Sequence, residues 1–300
     1  MGTTTLPNGL AAAPPGAALL GEVITWSCGG VRARHLDLVH ALRDAGLDES
    51  VARELAPRHA FTRACKRLQQ ARIIRQVAED SRTLTFQFTA EKKEGDRFAY
   101  ELETLLTLDK ATGRVSCALP GLATLAQEEL DRCLEARTGA DVTRVVQKLF
   151  ERRADLFPIR PAGGAYFVPR EHAAFVEKVQ GFLGAINGQL LRFPVPAGTR
   201  EGDRSVREAV ASGLAALIEE NRQAVEGFGT DTRADTLERA AEKIRRTRFK
   251  VEGYAAYLAE ERGRLERELE VASRRLWQKV EQITAGRDGV AADPGVPSPR

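Results

Sequence analysis

Six Lys and Arg residues and no Asp or Glu lie between Pro57 and Val77, in a chain whose formal net charge is only +3. Arg58, Thr62, Arg63, Lys66, Arg67 and Gln70 fall on one side of the helix this segment predicts. Phe61, Ala64, Cys65 and Leu68 recur at i, i+3, i+4 and i+7 on the other. Clustered guanidinium and ammonium groups beside amide and hydroxyl side chains suit one kind of chemistry, the neutralisation of phosphate oxygens and hydrogen bonding to base edges. A solvated helix surface has the same composition and is the competing reading. A second basic side, Arg144, Lys148 and Arg152, follows on a helix capped by Asp141, with Val142, Val145, Val146, Leu149 and Phe150 facing inward and Arg160 just beyond. There Asp141, Glu151 and Asp155 dilute the charge, which favours the solvated surface.

Enzyme chemistry has little to stand on. The chain lacks a phosphate-binding Gly-x-x-x-x-Gly-Lys-Ser/Thr loop, a Gly-x-Ser-x-Gly elbow, a His-Glu-x-x-His pair and a dinucleotide-type glycine fingerprint. Cys28, Cys65, Cys117 and Cys133 include no Cys-x-x-Cys pair and the four histidines are dispersed, so no zinc site and no cofactor is implied. Cys65 and Cys133 sit on apolar helix faces and read as small buried hydrophobes. The carboxylates from Glu260 to Glu270 alternate with arginines in the i, i+4 manner of a solvated charged face. An aromatic content of 6% argues only mildly against a platform for stacking single-stranded bases.

The elements that must position the basic faces follow from periodicity. Val23 to Trp26 reads as an opening strand, and a helix from about Ala33 to Ala45 stops at Gly46. Asp48 or Ser50 caps a short second helix, and Pro57 opens the third. Ile73 to Val77 reads as a strand, Leu84, Phe86 and Phe88 alternate with Thr85, Gln87 and Thr89, and a turn at Lys92 to Asp96 leads to a second alternating run at Phe98, Tyr100 and Leu102. After Pro120 the order repeats: two helices, then a hairpin turned by Gly163-Gly164. A helix from Glu171 to Ile186 and a strand from Gln189 to Val195 add a small extension.

Helix, helix, helix, hairpin, met twice between Ala33 and Pro169, resembles the winged-helix DNA-binding proteins, whose tandem form is known from plasmid replication initiators and from bacterial and phage proteins. The resemblance implies DNA binding, with a groove-reading helix beside a backbone-touching wing. Winged domains that bind only protein share the order, so the alternative is a coiled-coil scaffold or sensor that uses these units as adaptors.

The C-terminal third reads as helix. Val206, Val210, Leu214, Leu217, Val225 and Phe228 mark one amphipathic helix, and after Gly229 a second is expected from Thr232 to Thr284. Its 4-3 spacing is carried by Leu258, Leu265, Leu269, Leu276 and Ile283, among others. At 1.5 Å per residue this helix would reach roughly 80 Å, and the shorter one cannot cover it, so these five residues are expected to join two copies of the chain. An intramolecular antiparallel hairpin about Gly227-Phe228-Gly229 is the competing arrangement. The whole is thus expected to be an α+β protein with two winged-helix-like units carrying antiparallel hairpins and a long C-terminal coiled coil. The divisions are tails at 1–21 and 285–300, units at 22–119 and 120–200, and the coiled coil at 201–284. No run reaches the roughly 18 to 20 apolar residues of a bilayer span, and the expected setting is cytoplasmic, as a homodimer, with DNA as partner and no small-molecule substrate.

If Phe61 faces a core as its periodicity requires, Phe61→Ala should cost about 3 to 5 kcal/mol in urea unfolding, whereas a change at Arg63 should cost little. Small and equal effects would show the helix faces to be reversed.

Overall fold

The computed structural model describes residues 18–70, 72–94, 97–160, 163–229, 231–258 and 261–290. In chain order the elements are β1 (Leu19–Ser27), β2 (Arg32–Arg34), α1 (His35–Asp44), α2 (Pro57–Arg67), β3 (Arg72–Glu79), β4 (Thr83–Glu94), β5 (Arg97–Asp109), β6 (Val115–Ser116), α3 (Pro120–Glu135), β7 (Ala136–Thr138) and α4 (Gly139–Arg153). They continue with β8 (Phe157–Pro158), β9 (Tyr166–Pro169), α5 (Ala173–Ala185), β10 (Gln189–Pro196), α6 (Arg200–Glu226), α7 (Ala234–Gly253), α8 (Ala255–Leu258) and α9 (Arg262–Val290). The protein is α+β, with antiparallel sheets followed by C-terminal helices. Leu19 to Gly21 belong to β1 and residues 285–290 continue α9, where composition places tails; the rest of both tails lies outside the described residues, as do the tip of the Lys92 to Asp96 turn and Pro161-Ala162.

The chain forms two compact units, one from Ser27–Arg152 with Val176–Leu190, the other from Met1–Trp26, Arg153–Phe175 and Leu191–Arg300. These are not the contiguous divisions that composition suggests. Strand pairing and helix packing gather segments distant in sequence, so the second hairpin and the two helices before it fall into different units.

In the first, the sheet unit, β3, β4, β5 and β6 form an antiparallel meander in that order. The turns are set by carboxylates: Asp80 accepts the backbone N–H of Arg82 and of Thr83, and Asp109 accepts those of Ala111 and Thr112 before Gly113 at φ 68°. Leu84, Phe86 and Phe88 of β4 and Leu106 and Leu108 of β5 point to one face. They pack on Ala60, Phe61, Ala64 and Cys65 of α2 and on Ala126, Leu130 and Cys133 of α3. Phe61 is wholly buried and meets Phe86 edge-on, as the spacing predicts. Cys65 and Cys133 are buried, and burial pushes the Cys65 thiol up to about 12. A short antiparallel pair, β2 with β7, stands at the start of α1 and of α4.

In the second, the bundle unit, the strand order is β10-β1-β9-β8. The β8–β9 hairpin has the expected tight turn, with Gly163 and Gly164 both at positive φ, but its strand β9 pairs with β1 and both its strands lie against α6. Gly213 of α6 permits this approach, since a Cβ there would meet the Phe157 ring at 2.9 Å.

The single 53-residue helix implied by the heptads is not formed. It breaks after Gly253, where Tyr254 donates its hydroxyl to Asp155 at 2.6 Å and Lys250 pairs with the same carboxylate. α9 then folds back: Arg248 of α7 pairs with Glu270, and Arg275 of α9 with Glu226 of α6, giving three helices that run up, down and up. Leu258, Leu265, Leu269 and Leu276 therefore share a core with Val206, Val210, Leu214, Ile218 and Ile244, and Ile283 is buried as well. The seam expected between two chains is filled from within one. A bundle of three helices buries the stripe that a two-helix hairpin leaves half open.

Because this core is intramolecular, Leu269→Ala should lower stability by about 2 to 5 kcal/mol with a midpoint independent of protein concentration. Thermal melts over a hundredfold range of concentration test this. A midpoint that climbs with concentration would return the seam to a contact between chains.

Candidate nucleic-acid interface

Pro57 at the first helical position and an extended Ala56 start α2, and its last turn carries Lys66 and Arg67, where cations complement the helix dipole. One flank faces the sheet through Phe61 and another faces α3. This leaves Arg58, Thr62 and Lys66 in a line at i, i+4 and i+8, with Thr62 half-buried and the other two exposed. Gln70 is not on the helix. It lies past the end at φ 44°, a left-handed conformation unusual for a residue with a side chain.

Most of the basic side is neutralised by carboxylates from distant segments. Arg63 makes two hydrogen bonds to Asp141, at 2.8 and 2.6 Å, and Arg67 donates to Glu129 at 2.5 Å. Arg58 pairs with Glu79 at 3.1 Å, a carboxylate that Lys110 also holds. On the second basic side Arg152 donates to Asp48 and to the Ser50 hydroxyl, and Arg144 lies 3.6 Å from Asp141. Arg160 belongs to the bundle unit and donates to the Gly163 carbonyl. Among the described residues Lys66 and Lys148 form no ion pair. The fold therefore brings Arg58, Thr62 and Lys66 together on α2, turns Arg63 and Arg67 into tethers, and engages Arg152 and Arg160 with groups of their own.

Asp141 is the centre of these contacts. Besides Arg63, it accepts the backbone N–H of Thr138 at 3.0 Å and the Thr138 hydroxyl at 2.9 Å. Burial on its own would raise its pKa; the hydrogen bonds from Arg63 and Thr138 outweigh that and hold the carboxyl at about 2. Nearby Arg137 is almost wholly buried, donates to the carbonyls of Leu134 and Ala136, and has its pKa lowered by desolvation.

The outer face of the sheet carries a second group of side chains that periodicity alone misplaces. Even numbering puts Phe98, Tyr100 and Leu102 on the same face as Thr104, Leu106 and Leu108. The register reads otherwise: Phe88 is opposite Thr104, but Thr89 is opposite Leu102, so Glu103 is an extra residue and the strand changes face there. Phe98, Tyr100, Leu102 and Leu105 are consequently 55%, 57%, 62% and 45% exposed. Lys93 is directly opposite Phe98, Glu91 opposite Tyr100, and Arg75 of β3 opposite Gln87 beside Leu105. Three consecutive apolar residues at alternate positions next to Thr104 are the visible signal. Nothing in their types says where a bulge falls.

Among the described residues no group of three His, Cys, Asp or Glu side chains could hold a metal ion. No described helix is long and apolar enough to cross a membrane.

The depressed carboxyl of Asp141 contributes stability that is present above its unfolded value near 3.8 and is lost as pH falls through about 2. Asp141→Asn should cost at least about 2 kcal/mol at pH 7, and the gap from wild type should close between about pH 4 and pH 2. Urea unfolding at pH 7 and at pH 3 checks it, and a gap that does not change with pH would show that the ion pair carries no net stabilisation. Since Arg63 is the partner, its substitution is also expected to cost more than the sequence alone suggests.

No curated protein and no solved structure matches this chain. A family described as of unknown function, DUF6744, matches residues 19–285, which take in both compact units from β1 to near the end of α9. The chain belongs to the DUF6744 family.

Proposed function

We propose that this is a non-enzymatic DNA-binding protein whose contact surface lies on the sheet unit. The observation that carries the reading is the line Arg58, Thr62 and Lys66 on α2, where an ammonium without an ion pair among the described residues and a half-exposed guanidinium stand two turns apart with a hydroxyl between them. Glu79 keeps Lys110 if Arg58 swings to a phosphate, so that exchange leaves no buried charge behind. Lys148 and the exposed guanidinium of Arg144 on α4 supply further cations in the same unit. Surface ion pairs of this kind contribute little to stability, and phosphate oxygens compete for the cation on similar terms.

The second reading, a scaffold that docks protein through its C-terminal helices, is supported by Trp277, which stands 62% exposed beside an open groove lined by Ala241, Ile244, Arg245, Arg248 and Leu276. Tryptophan and arginine are the residue types most often found at energetic centres of protein interfaces. Self-association would need a surface other than the leucine seam, which is occupied within the chain.

Charge reversal at Arg63 or Arg67 would set a carboxylate against Asp141 or Glu129 and test folding instead of binding. The clean variant is Arg58→Gln with Lys66→Gln. In titrations of a 20-bp duplex it should weaken binding and flatten the slope of log K against log salt by about two, near 0.9 for each phosphate no longer neutralised. A slope equal to the wild type's would remove DNA contact from α2, and failure to bind a protein partner on Trp277→Ala would favour the scaffold.

A further inference from the structure

We infer that the outer face of the β4–β5 hairpin is a binding surface for single-stranded nucleic acid. This rests on the nucleic-acid reading above but assigns a different surface and a different form of ligand. Phe98, Tyr100 and Leu102 stand on alternate positions of β5, about 7 Å apart along the strand, a spacing close to that of one nucleotide in an extended chain. All three are more than half exposed. A contiguous apolar stripe ending in two aromatic rings and held out to solvent marks a surface that something else covers in use.

Charge selects the occupant. On the same face Lys93 is opposite Phe98 and Arg75 is opposite Gln87, and neither forms an ion pair among the described residues. Glu91, opposite Tyr100, is the one carboxylate among these facing residues. Other charges of the hairpin are engaged on the opposite side, Lys92 with Glu101 and Arg72 with Glu103. A cation at each end of an aromatic and apolar row is complementary to a backbone of phosphates whose bases lie on the rings. A duplex, with its bases stacked inside, offers the rings nothing. Stacking on the rings does not distinguish one base from another, so binding would be sequence-tolerant.

The test is fluorescence anisotropy of the full chain with a labelled 20-nucleotide oligo-dT and, in parallel, with a 20-bp duplex. Phe98→Ala with Tyr100→Ala should weaken oligo-dT binding at least tenfold while leaving the melting temperature and the duplex titration unchanged. Arg75→Gln with Lys93→Gln should flatten the salt dependence of oligo-dT binding. Ultraviolet crosslinking of the wild type should label the peptide that contains Phe98 and Tyr100. Duplex binding without oligo-dT binding overturns this inference and leaves the proposed function standing; binding of neither overturns both. Undiminished oligo-dT affinity in the aromatic variant overturns the assignment of the face. A fall from dimer to monomer in light scattering of that variant, with oligo-dT affinity unchanged, would show a contact between two copies in its place.

Discussion

Asp141 and the glycine two residues before it hold the sheet unit together. Gly139 opens α4 where the Cys28 carbonyl presses so close that a Cβ would meet its oxygen at 1.8 Å, so only glycine allows the chain to pass. Three residues after Thr138, the Asp141 carboxylate reaches back to the Thr138 N–H in the manner of a capping box and so fixes the first turn of α4. The remaining lone pairs of that carboxylate take both arms of Arg63. One side chain thus joins the start of α4, the β2–β7 pair and α2, segments 78 residues apart. Four hydrogen bonds, three to Oδ2 and one to Oδ1, offset the desolvation of this half-buried carboxylate.

The same arithmetic decides which cations are available to a ligand. Six Lys and Arg residues without a carboxylate in the local sequence look like a surplus. In three dimensions Asp141, Glu129, Glu79 and Glu103 arrive from other elements and each takes one of the arginines, leaving Lys66 and Arg75 without an ion pair among the described residues. The short bidentate contacts are the planar fork of arginine matched to a carboxylate, a geometry lysine lacks. It is consistent that the cations left over on α2 and α4 include both lysines of those helices, Lys66 and Lys148.

In the bundle unit, polar groups specify an arrangement that leucines alone would leave degenerate. Asn221 of α6 is buried and donates to the Thr247 hydroxyl of α7 at 3.0 Å, which in turn donates to the Lys243 carbonyl. The Asn221 carbonyl oxygen has no partner among the described residues. Such a pair costs stability and fixes the register of α6 against α7. At the other end, Asp155 takes both the Tyr254 hydroxyl and Lys250, with the Phe157 ring edge-on to Tyr254 at 5.0 Å. This cluster explains why the helix turns at a tyrosine after a glycine instead of running on.

By itself the sequence determined whatever depends on neighbours a few residues away. The buried stripe of α2, the alternation of β4, the turn at Gly163-Gly164, the inward cysteines and the break after Phe228 are all written in local periods of 2 and 3.6 and in the backbone needs of glycine. The basic face, too, was legible as a composition. Only the tertiary structure decided which charges remain and which face a strand shows. Arg63 and Arg67 meet acids 78 and 62 residues away, the β8–β9 hairpin finds β1 from the other end of the chain, and Glu103 is inserted opposite no partner. The heptads of the last helix do mark a seam, but a seam records only that something apolar must cover it. In this chain α6 and α7 supply the cover once the helix breaks at Tyr254, and folding back within one chain avoids the entropy of joining two.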